Sequence, residues 1–280
     1  MNSIELTKVC KRYPGFELQD LSLTLPSGCI MGLIGENGAG KSTTIRLILN
    51  MIRRDSGSIR IFGRENQEEI AQLKEDIGVV LDEVGIPGCL NVSQVGNIMR
   101  HTYKNWDDAA FSHYLRYLAI PEGKPFKDFS RGNKMKLGIT IALSHRPRLL
   151  ILDEATSGLD PVVRDMVVDL LCEFARDESH SILVSSHIVS DLEKLCDYIA
   201  FLHRGKLLLC EEKDRLREQY GILRCGAGEL AQLAPEAILG KKESSYGTEV
   251  LLRREDIPAG LESSPVSIED LFIFMVREVY

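Results

Sequence analysis

The 280-residue sequence contains no apolar stretch approaching the roughly 18 uninterrupted residues that cross a bilayer as a helix. Runs such as residues 137–143 and 198–202 soon meet charge, so the chain is not expected to span a membrane itself. The opening residues, Met-Asn-Ser-Ile-Glu-Leu-Thr, lack the basic region and apolar core of a secretory signal, and residence on the cytoplasmic side is expected. Paired cysteines are missing too. Cys10, Cys29, Cys89, Cys172, Cys196, Cys210 and Cys225 are odd in number, scattered, and never at zinc-site spacing, which excludes a disulfide scaffold and predicts free thiols. There is no excess of positive charge: the formal net charge is -7 and acids outnumber bases beyond residue 211, so no nucleic-acid partner is expected. Internal repeats and low-complexity tracts are also absent.

What remains is ordinary globular composition, 44% hydrophobic and 27% charged, in a length that suits one large domain or one domain with an extension. Ile4, Leu6 and Val9, then Leu21, Leu23 and Leu25, alternate with polar residues on either side of Tyr13-Pro-Gly15, predicting two antiparallel strands. A buried strand over residues 29–34, a glycine-rich turn and a helix over 43–50 follow. Further strands are predicted over 58–62 and 77–81, with a polar helix over 68–75 between them. Between residues 91 and 145 helical spacings replace strand patterns, predicting a helical subdomain of about 83–145. An apolar strand over 148–153, a helix over 162–175, a strand over 181–185, a helix over 189–196 and closing strands over 198–202 and 206–209 complete an α/β pattern. Residues 216–280, with an amphipathic stretch over 268–279, read as a small appended region after a main domain of residues 1–215.

The strongest motif is Gly35-Glu-Asn-Gly-Ala-Gly-Lys-Ser42, which fits G-x-x-x-x-G-K-[ST] between a predicted strand and a predicted helix. Glycines let backbone N–H groups curl toward phosphate oxygens, and the helix N-terminus adds partial positive charge. Gly35, Asn37, Gly38, Ala39, Gly40, Lys41, Ser42 and Thr43 are the expected nucleotide contacts, with Lys41 reaching the β- and γ-phosphates and Ser42 placing a hydroxyl on Mg²⁺. The second acidic site is Leu149-Leu-Ile-Leu-Asp153-Glu154. It supplies Asp153 to hold Mg²⁺ through its water shell and Glu154 to orient or deprotonate a water attacking the γ-phosphate.

Together with Leu152-Asp-Glu-Ala-Thr-Ser-Gly-Leu-Asp160-Pro161, these motifs resemble the nucleotide-binding subunit of an ABC transporter. The resemblance covers about residues 1–215 and implies a P-loop α/β fold of ABC type: a mixed core sheet with flanking helices, an antiparallel β-subdomain and an α-helical subdomain, followed by a small C-terminal extension. It implies that Tyr13 stacks on adenine, that Asp160 belongs to a loop communicating across a dimer, and that His187 contacts the γ-phosphate. Taken singly, Tyr13 also fits a turn or core aromatic, and His187 a helix-cap or core histidine. The signature element of the family, usually Leu-Ser-Gly-Gly-Gln, is matched by Phe129-Ser130-Arg131-Gly132-Asn133. Ser130 and Gly132 are then expected to meet the γ-phosphate held by a second subunit, while Arg131 either adds a phosphate contact or stands as a solvated charge. Where the family carries a glutamine touching Mg²⁺ and the attacking water, this chain has Asp82, which accepts only and brings negative charge beside the phosphates.

Asp82 with a Ser-x-Gly signature is similar to bacterial ABC-2-type export ATPases. The resemblance implies ATP and Mg²⁺ as ligands, a second ATP-binding subunit of the same or another kind, and a membrane-spanning permease contacted around residues 87–106. Met99, Tyr103 and Trp106 are candidate contacts there, or core aromatics in the case of the last two. A peripheral place on the cytoplasmic face of the membrane follows. A soluble ABC ATPase acting on ribosomes or DNA is the competing reading. It fits less well, since the chain holds one cassette and shows no coiled coil inside it.

Overall fold

Two patterns of apolar residue build two kinds of sheet in the computed structural model, which describes residues 2–67, 70–230, 232–244 and 247–277. In chain order the strands are β1 (Asn2–Tyr13), β2 (Phe16–Pro26), β3 (Ile30–Ile34), β4 (Ser56–Ile61), β5 (Arg64–Glu65), β6 (Ile77–Val80), β7 (Leu149–Asp153), β8 (Ser181–Ser186), β9 (Tyr198–His203), β10 (Lys206–Glu212), β11 (Tyr220–Cys225), β12 (Gly240–Ser244) and β13 (Gly247–Arg253). The helices are α1 (Lys41–Ile48), α2 (Ile70–Glu75), α3 (Val92–Thr102), α4 (Asp108–Tyr117), α5 (Arg131–Ser144), α6 (Pro161–Phe174), α7 (Val189–Leu195), α8 (Lys213–Gln219), α9 (Ala227–Leu230) and α10 (Ile268–Arg277). Residues 68–69 of the predicted polar helix and 278–279 of the last amphipathic stretch lie outside the described residues.

The alternating strands pair antiparallel in the order β2-β1-β4-β5. The strands β3, β7 and β8 are buried along their whole length, as strands covered on both faces must be, with the serines of β8 and Asp153 of β7 buried among them. They sit in a six-stranded sheet of order β10-β9-β3-β8-β7-β6, parallel except for β10 at its edge. Successive residues of these strands feed different cores, because side chains leave a strand alternately on its two faces. Met31, Leu33, Ile151 and Leu183 join the antiparallel sheet and α1. Ile34, Leu150, Leu152 and Val184 join α5, α6, α7 and the helical region.

The strand patterns stop where predicted, and α3, α4 and α5 fill the interval between β6 and β7. Each starts on a side chain that satisfies otherwise orphaned N–H groups. Asn91 and Gln94 form a reciprocal capping box on α3, Asp107 accepts from Ala110 N at 2.9 Å, and Ser130 Oγ accepts from Asn133 N at 3.3 Å. Tyr103 and Trp106 are packed within this region: Tyr103 stacks on His145 at 4.0 Å, and Trp106 tilts against Phe111 at 5.0 Å. Met99 is partly buried in the same cluster, whereas Ile98 is exposed.

His145 is a buried titratable group with Nε2 3.2 Å from Ile77 O and Nδ1 3.3 Å from Ile141 O. Burial pushes its pKa below the ordinary histidine value of 6.5, outweighing the two carbonyls that favour the cation. The unfolded chain therefore binds this proton more readily than the folded one, so the contribution to stability is complete above that value and is lost as pH falls below it. Thermal unfolding measured from about pH 7.5 down to about pH 5 should show a declining Tm whose slope flattens in His145→Leu. An unchanged slope in the variant would remove His145 from the acid sensitivity of the fold.

Beyond α8 the chain forms a three-stranded antiparallel sheet of order β11-β13-β12, closed by α10. Helix α8 spans the boundary expected at residue 215, and Leu216, Ile222, Leu251 and Leu271 are buried in the same cluster as the main sheet. Phe272 meets Phe201 of β9 at 5.3 Å, and Ile268 N donates to Glu193 Oε1 of α7 at 2.8 Å. All seven cysteines are free. Burial pushes the Cys210 thiol up to about 11 and that of Cys196 higher still, so neither is a ready nucleophile.

Candidate nucleotide-binding site

β3 delivers the chain to Gly35, where a Cβ would stand 2.4 Å from the Leu202 carbonyl oxygen and 2.9 Å from Ala39 Cβ, so only glycine fits. At the far end of the loop Gly40 takes φ +112° and no side chain caps α1. The first N–H groups of that helix are thus left for an external acceptor, the condition for anion binding. The turn after β9 braces the loop from behind: Gly205 N donates to Ala39 O at 2.9 Å, and Gly205 O accepts from Gln19 N of β2 at 2.8 Å.

A cavity of about 680 Å³ opens in front of α1. From the loop it is lined by Asn37, Gly38, Gly40, Lys41, Ser42 and Thr43, while Gly35 and Ala39 lie behind the lining. Lys41 is buried, and Nζ donates to Gly35 O at 2.7 Å and lies 3.4 Å from Glu154 Oε1. Opposite, β7 ends on Asp153, 3% exposed, whose Oδ1 accepts from Ser185 Oγ at 2.6 Å. Ser185 also accepts from Glu154 N at 3.2 Å, fixing both acids from the neighbouring strand. Glu154 turns off the strand with φ +55°, which swings its carboxylate away from that of Asp153 and into the cavity. His187 Nδ1 meets Glu154 Oε2 at 2.6 Å. Because an ionised carboxylate only accepts, Nδ1 carries the proton.

The remaining expected residues divide. His187 and Asp82 line the cavity. Tyr13 does not; it is 43% exposed with the Lys11 ammonium over its ring, and Phe16, directly opposite it in the β1–β2 hairpin, lines the cavity instead. Ser130, Gly132 and Asp160 also lie outside it, with Asp160 capping α6 by accepting from Val163 N at 3.1 Å. Arg131 is neither simply solvated nor idle: Nη2 donates to Asp82 Oδ1 at 2.5 Å, so the carboxylate expected to face a metal is paired within the chain. Sequence reasoning missed Phe16, Glu36 and Ser185, whereas Ser157, which lines the cavity, opens the cross-dimer loop that the resemblance implied over residues 157–160. Ser185 could have been found, since it lies two residues before His187 on the strand paired with β7.

A parallel sheet whose strand-to-helix turn carries this loop, facing an acid pair on a nearby strand, defines a P-loop nucleoside triphosphatase. The family model described as ABC transporter matches residues 18–157, and the chain belongs to that family. Among relatives, it is 34% identical over 218 residues to the ABC transporter ATP-binding protein YtrB of Bacillus subtilis, covering 78% of this chain and 74% of that one. It is 35% identical to the lantibiotic transport ATP-binding protein SrtF of Streptococcus pyogenes, over 70% of this chain and 85% of that one. A solved structure of an ATP-binding subunit of an ABC transporter, 25% identical, superposes with a TM-score of 0.70 over 76% of this chain and 91% of that one.

Proposed function

We propose that the chain is the ATP-binding and ATP-hydrolysing subunit of an ABC exporter, working as one of a pair and driving a separate membrane-spanning permease. The observation that carries this reading is the convergence of Lys41, Glu154 and His187 on one cavity in front of an uncapped helix N-terminus. Lys41 and the loop N–H groups bind the triphosphate. Glu154, held between Lys41 and the Nδ1–H of His187, takes the proton of the attacking water; His187 keeps the carboxylate aimed into the cavity, and Lys41 offsets the charge on the phosphate oxygens. Little covalent chemistry is asked of the protein, because positioning and charge stabilisation dominate phosphoryl transfer.

The donor set suits Mg²⁺. Among the described residues no group of three or more His, Cys, Asp or Glu side chains forms a cage. A cation that keeps waters and shares phosphate oxygens needs none. Ser42 and Asp153 would hold it, and when bound it would supply neutralisation of phosphate charge. Adenine would stack against the β1–β2 hairpin, on Phe16 with Tyr13 beside it. Ser130 and Gly132, outside the chain's own cavity, would serve the nucleotide of a partner subunit, as would the loop ending at Asp160. Residues 1–215 form the cassette in this reading, with 216–280 an appended region that also buttresses α7.

Among the described residues no helix is long and apolar enough to cross a membrane, so transport requires a partner that does, and the chain would sit peripherally on its cytoplasmic side. YtrB is named an ABC transporter ATP-binding protein and SrtF a lantibiotic transport ATP-binding protein, which supports that role here. Tagging the chain in its native cell, solubilising membranes gently and identifying stoichiometric companions by mass spectrometry tests the reading. A multi-span membrane protein is the expected companion; ribosomal or DNA-bound proteins in its place would retain the ATPase and overturn transport.

A further inference from the structure

Asp82 leaves β6 at its C-terminal end and lines the phosphate cavity, where it joins Glu36 and Glu154 on a wall already rich in carboxylate. A bare aspartate there would repel a triphosphate across a few ångströms, since an ionised carboxylate offers it no donor. The cations lining the same cavity are Lys41 and Arg131, and Lys41 is committed to Gly35 O and Glu154. Arg131 is the one aimed at Asp82. It stands at the first residue of α5, and its Nη2 donates to Asp82 Oδ1 at 2.5 Å across 49 residues of sequence. Its aliphatic stem lies along the backbone of Gly158, where a Cβ would meet Arg131 Cδ at 3.4 Å and Nε at 3.5 Å. One side chain thus spans three segments: the signature turn, the exit from β6, and the loop that follows Glu154.

Arg131 is 58% exposed and Asp82 52%, so water screens the pair and the fold gains little from it. Its effect falls on whatever charge enters the cavity beside it. We propose that Arg131 is a positioning residue for nucleotide held by its own chain, cancelling the negative charge that Asp82 places beside the triphosphate. This role rests on the ATP reading above. It acts within the chain and is separate from the contacts that Ser130 and Gly132 make to a partner's nucleotide.

The test is equilibrium binding of ATP by calorimetry in EDTA, where neither hydrolysis nor a metal contact of Asp82 contributes, with thermal stability followed in parallel. Arg131→Ala is expected to weaken ATP by about tenfold at low ionic strength, the size of an ordinary coupling between charged neighbours. Asp82→Asn alone should bind within about twofold of the parent, because an arginine as exposed as Arg131 turns to water once its partner is gone, and the double variant should do the same, so that Arg131→Ala costs little in that background. Arg131→Lys should retain most of the affinity, and raising salt from about 0.05 M to about 0.5 M should shrink the Arg131→Ala loss as the Debye length falls. An equal loss from Arg131→Ala in the Asp82→Asn background would overturn the pairing, because the arginine would then act on phosphate directly. No loss at all would overturn it equally. Lys41→Ala separates the two levels: if it abolishes binding while Arg131→Ala does nothing, only the pair fails, whereas unimpaired binding in Lys41→Ala overturns the ATP reading and the pair together.

Discussion

Glu154→Gln is expected to keep ATP and lose turnover, with hydrolysis falling by about 10²- to 10⁴-fold, the usual worth of a positioned general base. The substitution is nearly isosteric, and glutamine can occupy the left-handed backbone conformation that Glu154 holds at φ +55°. The amide oxygen can still accept from His187 or Lys41, so the cavity keeps its shape while losing the group that takes a proton. Phosphate release and nucleotide binding, measured on the same preparation, read the two properties apart. Wild-type turnover would refute the assigned role. Loss of binding together with turnover would assign Glu154 to holding Lys41 in place.

Mixing two inactive variants is expected to recover activity that neither has alone. Lys41→Ala removes the cation proposed to bind phosphate from a chain but leaves its Ser130 and Gly132 intact. Ser130→Phe blocks the signature end of α5 but leaves its P-loop intact. If each nucleotide is completed by a second subunit, both variants are dead as homodimers, and every mixed pair contains one whole site. Random pairing of equal amounts makes half the pairs mixed, so about a quarter of wild-type hydrolysis should return in a symmetric two-site dimer. Ser130 is exposed and its hydroxyl caps α5 through Asn133 N, so the variant's folding is checked by its thermal unfolding. Zero recovery with both variants folded and dimerising would mean that the signature loop does not complete a partner's site.

What the sequence disclosed follows the distance over which each feature is encoded. The phosphate loop, the acidic strand and the alternation of β1 and β2 are written in contiguous residues, and each stands where its pattern puts it. The carboxylate of Glu154 between Lys41 and His187 joins residues from three separate segments: motif chemistry directs Lys41 and Glu154 to one phosphate, and the resemblance adds His187. Arg131 looked like a possible solvated charge because nothing in its neighbourhood names Asp82, 49 residues earlier, as its partner. The resemblance points to Tyr13, whereas the hairpin turn sets Phe16 opposite it and puts Phe16 on the cavity wall. In the C-terminal region much of the apolar character serves a core shared with β9 and α7, so no self-contained pattern marks a sheet there.

The backbone bridge at Gly205 ties Ala39 of the phosphate loop to Gln19 of the antiparallel sheet through two hydrogen bonds from a single residue. The hairpin side and the loop side of the cavity are therefore mechanically one piece, and the mouth between them has a fixed gauge. On the opposite side the start of α5 and the exit from β6 meet through a water-exposed side-chain contact, which holds less firmly than a pair of backbone hydrogen bonds. The cavity thus has one side braced by backbone and one bridged by side chains, and the latter carries both the signature turn and Asp82.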